Sequence, residues 1–201
     1  MKPKLERYAR SLILAPVMPL AGLLGGWWSA YALLPERWIP FAMLAGLLAG
    51  ILADVVLLKG LLDRRFSWLF WAAVYLFYSI GIFGFFMGVP VFNAALTVPA
   101  GFVVGSRLAA ENADRQQVLK TARRSAWFTT GVLALVCSAS AILALADPYT
   151  ASGLRGMFGL GFEVTQGMIV GLILVGGAAL LAGCWGLTVV MVRGTYRWLQ
   201  R

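Results

Sequence analysis

The chain has 201 residues, of which 61% are apolar or aromatic and 12% are charged. Soluble globular domains carry about 45–50% apolar and about 25% charged residues, and a water-soluble fold of this size has no interior large enough to hide the surplus. Composition therefore excludes an ordinary soluble domain, a disordered chain and a disulfide-rich secreted module, and leaves an integral membrane protein. The net charge of +9 does not point to nucleic acid, because the basic residues form short clusters beside apolar segments rather than one patch.

Charge-free tracts at 11–35, 38–53, 66–106, 125–146 and 164–192 mark the candidate spans. A hydrocarbon core about 30 Å thick takes about 20 helical residues, so the 66–106 tract holds two crossings. Gly88-Val89-Pro90 is its natural break. The expected fold is all-α: a single membrane domain over residues 1–201, built as a six-transmembrane-helix bundle. Its spans fall near 12–34, 38–58, 66–87, 89–108, 125–146 and 166–192. Continuous apolar runs, rather than short alternating ones, argue against a β-barrel.

In the first span, the basic lead and Ala30-Tyr31-Ala32 resemble a signal sequence. The apolar stretch is longer than a signal core, so a retained anchor is expected. The second span carries Ala42, Gly46, Gly50 and Asp54 at four-residue intervals, on one face. Small residues in such a stripe let another backbone approach closely. Asp54 is the one acidic residue within a span. It reads either as an interfacial partner for Lys59, Arg64 or Arg107, or as an ion or proton site. The third span sets Trp71, Tyr75, Tyr78 and Phe85 near one face. Such rings pack or face lipid, or stack on a flat ligand or a cation; the tyrosine hydroxyls need partners, which turns Tyr75 and Tyr78 inward. The fourth span repeats the four-residue interval with Asn93, Thr97, Gly101 and Gly105.

Residues 107–124 are expected to continue the fourth helix out of the membrane, with a Glu111–Arg115 pair one turn apart. This segment is either a solvated helix or a docking surface for a partner or anionic lipid. Asp147-Pro148 ends the fifth helix. The loop 147–165 is too apolar to hang free, and is expected to lie on the membrane surface or fold back as a lid. Its charges Asp147, Arg155 and Glu163 read as salt-bridged or as a recognition surface. The last span is rich in glycine, at 167, 171, 176, 183 and 186. The ends of spans two and five both reach an aspartate, but the other spans do not align as an inverted repeat.

All but Arg37 and Arg155 of the 17 basic residues fall on one side of this layout. The positive-inside rule then expects both termini in the cytoplasm, in the cell (inner) membrane. An even number of spans requires the same.

Chemistry is sparse. There is no histidine, which removes imidazole-based metal, haem and nucleophilic systems. Cys137 and Cys184 lie in apolar runs and read as small hydrophobes. No catalytic, cofactor-binding or metal-binding residue stands out, so an enzyme is not expected. The leading expectation is a small-solute transporter or its substrate-binding membrane component, with Asp54, Tyr75, Tyr78, Asn93 and Thr97 as candidate solute or ion site. Size and span count resemble the substrate-capturing subunits of vitamin importers, without a shared motif. The alternative is a non-catalytic structural or assembly subunit of a larger membrane complex. Expected partners are the lipid bilayer, a partner subunit or second copy, and a small-molecule substrate.

Overall fold

A computed structural model describes residues 2–62, 66–86, 88–159 and 161–200, and the regular structure among them is helical. Six helical stretches are long and apolar enough to cross a membrane: Arg10–Leu33, Glu36–Leu58, Trp68–Phe85, Val91–Ala110, Arg115–Ala146 and Gln166–Gln200. The chain is a multi-pass membrane protein. It divides into two compact units, Met1–Val74 and Tyr75–Arg201.

The first unit holds α1 (Lys2–Leu14), α2 (Val17–Leu33), a 3-10 turn (Glu36–Trp38), α3 (Ile39–Leu62) and the start of α4 (Trp68–Phe85). The first span is not one continuous helix, as the 12–34 expectation had it. The helix breaks at Ala15-Pro16. Pro16 has no N–H to donate, its ring crowds the preceding turn, and Pro19 removes a second donor. After α2, Pro35 stands in extended conformation and starts the reversal into α3.

Helices α2 and α3 then run antiparallel in backbone contact. A Cβ on Gly22 would overlap the carbonyl of Gly46, one on Gly26 the carbonyl of Ala42, and one on Gly50 the backbone of Met18 and Pro19. The relation is mutual, since a Cβ on Gly46 would overlap the carbonyl of Gly22. These pairs advance one turn on α2 as they retreat one turn on α3. Only residues without side-chain bulk permit that approach.

The second unit holds the rest of α4, then α5 (Val91–Ala95), α6 (Thr97–Ala110), α7 (Arg115–Ala146), α8 (Thr150–Phe158) and α9 (Gln166–Gln200). The break between spans three and four falls at the expected place. Gly88 has φ of 81°, a left-handed value that glycine takes without strain, and Pro90 precedes α5. The fourth span is itself interrupted at Leu96. Pro99 cannot donate to the carbonyl one turn back, so the helix restarts as α6.

The segment 107–124 is mostly helical, but its helix belongs to the fifth span and not the fourth. Helix α6 ends at Ala110, Asn112 takes a positive φ of 49°, and Asp114 caps α7 by accepting the Gln117 N–H at 2.6 Å. Asparagine tolerates that conformation, and a β-region aspartate is a strong N-cap. The turn also cancels the expected Glu111–Arg115 pair; Glu111 instead accepts from Arg107 Nε at 2.9 Å. At the far end of the chain, α9 runs past residue 192 to Gln200. Arg193 and Arg197 mark where an apolar environment stops, but arginine is a good helix former, so the helix does not stop with it.

Helices α6 and α9 run parallel, with α7 antiparallel to α9. A Cβ on Gly101 would press on Met191, and one on Gly105 would come within 2.6 Å of the Val192 carbonyl and 2.8 Å of Thr195 Cβ. Toward the basic end, Leu108, Ala113, Val118, Ala122 and Val192 form a buried cluster, flanked by Val104 and Tyr196. The Tyr196 hydroxyl donates to the Ala113 carbonyl at 2.6 Å and ties α9 to the α6–α7 turn.

Candidate functional site

Several polar side chains of the second unit link one helix to another. Asn93, on α5, is 2% exposed and donates from Nδ2 to both the carbonyl and the Oγ of Ser79 on α4, at 2.8 Å each. Its Oδ1 is buried without a hydrogen-bond partner. Thr97, one turn on, is 0% exposed and donates back to the Ala94 carbonyl at 2.7 Å. The two residues do share a region, as their spacing suggested. Both face protein, with Asn93 bonded to another helix and Thr97 to its own backbone.

Tyr75 is buried and packs on Phe128 of α7, with ring centroids 5.6 Å apart. Tyr78 is half-buried, and its ring meets its neighbour Phe77 edge-on. Along the continuous helix α4 the four rings have different surroundings. Phe85 is fully outward and stacks edge-on against Phe86, while Trp71 belongs to a separate cluster with Phe66 and Phe70.

Asp54 lies in the first unit, on α3, in the stripe of Gly46 and Gly50. Its Oδ1 is buried and unpartnered. Extending the α2–α3 register places it across from the α1–α2 break, where Leu14 is buried. Of its expected partners, Arg64 and the Lys59 side chain lie outside the described residues, and Arg107 carries Glu111. On the loop after α7, Asp147 accepts the Tyr149 N–H at 2.9 Å and ends the helix with a local turn.

Three further links had no place in the sequence reading. Thr129 of α7 and Thr188 of α9 meet at 2.9 Å, both fully buried. Thr188 also reaches the Cys184 carbonyl at 2.8 Å, and Thr129 the Ala126 carbonyl at 3.2 Å. With two protons between them, one makes the cross-helix bond and the other returns to the backbone. The Ser140 hydroxyl of α7 donates to the Gly88 carbonyl and so supplies a partner at the α4–α5 turn. Ser79 is the acceptor for Asn93. The usable signal for all of these was an isolated hydroxyl inside an apolar run. In lipid such a group must find a partner, and another helix is the nearest one. The sequence reading also missed Gly22 and Gly26, which form the α2 half of the glycine contact.

Among the described residues no group of three or more His, Cys, Asp or Glu is placed to hold a metal ion. Cys137 and Cys184 are free thiols, the latter buried. No known protein family, curated protein or solved structure matches the chain.

Proposed function

We propose that the chain is a non-catalytic, membrane-embedded assembly subunit whose work is done at its surfaces. One observation carries this reading. Asn93 and Thr97, which a solute path would present to its lumen, are fully buried, with Asn93 bonded to Ser79 and Thr97 to the Ala94 carbonyl. Thr129 and Thr188 follow the same pattern. Polar groups already satisfied by other protein groups have little left for recognising a passing solute. In this reading the basic ends of the helices face the cytoplasm and the protein sits in the cell membrane, as the positive-inside rule requires.

The transport reading keeps one supporting feature, the unpaired Oδ1 of Asn93. A buried carbonyl oxygen without a donor favours binding of one, from water or from a ligand. Native mass spectrometry after gentle extraction separates the two. The subunit reading expects a protein partner in fixed stoichiometry. A retained small molecule that disappears in Asn93→Ala and Thr97→Val would sink that reading and establish a solute site.

A further inference from the structure

The cations at the basic end of the second unit lie on two opposed faces rather than in one patch. The Thr129–Thr188 contact sets the register of α7 against α9. Stepping outward in opposite directions, Arg124 comes level with Arg193, and Lys120 with Arg197. The parallel α6–α9 register, with Gly101 beside Met191 and Gly105 beside Thr195, brings Arg107 to the level of Arg197. At about 1.5 Å per residue, the cations from Arg124 to Lys120 occupy a band about 6 Å deep, with Arg115 at the start of α7 standing about 7.5 Å further out.

Within this band the charges point in different directions. The buried stripe of α7 is Val118, Ala122, Ser125, Ala126 and Thr129. At about 100° per residue, Lys120, Arg123 and Arg124 fall on the opposite side of that helix. The buried stripe of α9 is Cys184, Thr188, Val192 and Thr195, and Arg193 and Arg197 lie away from it. Because α7 and α9 meet through their buried stripes, the two cation sets face away from each other. Glu111 neutralises Arg107, whereas Lys120, Arg123, Arg124, Arg193 and Arg197 have no ion pair among the described residues.

Exposed tryptophans bracket the band. Trp127 is 70% exposed on the apolar side of Arg123 and Arg124, and Trp198 is 58% exposed just beyond Arg197. Tryptophan favours the headgroup level of a membrane. The headgroup layer is itself about 5–8 Å deep on each side of the hydrocarbon core, close to the depth of the band. Helix α7 is 32 residues long, about 48 Å, so its first turns stand outside a core of about 30 Å.

We propose that this band of cations binds the anionic phospholipid headgroups of the leaflet beside it. A protein partner would meet one of the two cationic faces, whereas headgroups at that depth can reach both.

The test uses the full-length protein in nanodiscs holding equal amounts of phosphatidylglycerol and phosphatidylcholine, with retained lipids counted by native mass spectrometry. The wild type should retain phosphatidylglycerol roughly fivefold over phosphatidylcholine. Removing one face (Lys120→Gln, Arg123→Gln, Arg124→Gln) or the other (Arg193→Gln, Arg197→Gln) should each lower that ratio roughly twofold, and both together roughly fourfold. Arg123→Lys with Arg124→Lys should keep it. Raising salt on the wild type, which needs no variant, should erode the preference. Equal retention of the two lipids by the wild type, or a preference indifferent to salt, would overturn the proposal. So would complete loss from one face alone, because the proposal spreads the preference over both faces.

Discussion

The α2–α3 hairpin and the α6–α7–α9 group solve the same problem by different means. In the hairpin, Gly22, Gly26, Gly46 and Gly50 bring backbone against backbone, with no side chain between the helices at those points. In the second group, glycine is used on one seam only, at Gly101 and Gly105. The rest is held by buried side chains and by hydroxyl bonds such as Thr129–Thr188. In lipid there is little hydrophobic force between helices, so close van der Waals contact and hydrogen bonds must do the work. The hairpin depends wholly on shape, and the second group spreads its stability over shape, core and polarity. The first should therefore fail abruptly and the second by degrees.

Substitutions can break that contrast, starting with the most damaging. Gly46→Leu should cost more than about 3 kcal/mol, beyond the ordinary overpacking range, because the opposing Gly22 carbonyl is backbone and cannot retreat. Hydrogen exchange should show α2 and α3 losing protection while α7 and α9 keep theirs; an undisturbed α2 would refute the shape-only account. Leu133→Ala, at a side chain 1% exposed on α7, should cost about 2–3 kcal/mol in denaturant unfolding. A loss under about 1 kcal/mol there would mean the second group has no true core at that level.

Smaller effects sharpen the picture. Asn93→Ala should cost about 1–2 kcal/mol, since it removes the cross-helix donor to the Ser79 carbonyl and hydroxyl, and Asn93→Asp should not restore it because a carboxylate cannot donate. Unfolding midpoints of the two variants check this. Thr188→Val should cost about 0.6 kcal/mol and no more than about 1.7, the range for hydrogen bonds between membrane helices. A double-mutant cycle with Thr129→Val should recover most of that as coupling energy. Gly176→Ala should be neutral or stabilising by up to about 1 kcal/mol, because nothing lies near the added methyl and alanine is the better helix former. A clear destabilisation at Gly176 would mean that another surface covers it in the assembled protein.

The spans were legible because lipid imposes a crude rule: an apolar run of sufficient length must be a helix. The stripes of Gly46 and Gly50 and of Gly101 and Gly105 were legible because helical spacing is fixed. Their partners were not, since a stripe announces a contact without naming the other side. Gly22 and Gly26 could have been paired with them by seeking a matching interval on the neighbouring span. Pro16 and Pro99 mark breaks that an apolar run does not reveal, because hydropathy reads through a proline. Of the candidate solute site, Asn93 and Thr97 stand out in the sequence as polar residues in an apolar run, and the structure gives both of them protein partners.

What the sequence determined by itself is the solvent of each segment. The content of 61% apolar residues, and charges confined to short clusters, decide which stretches sit in lipid. Tertiary structure decided where the helices end and how the clusters are arranged. Charge marks the edge of the bilayer but does not stop a helix, so α7 and α9 carry their arginines out beyond it. Registers set by glycine contacts and a threonine pair then bring separate basic runs to a common level, on opposed faces of α7 and α9. That arrangement depends on which faces pack together, and one-dimensional spacing holds no record of it.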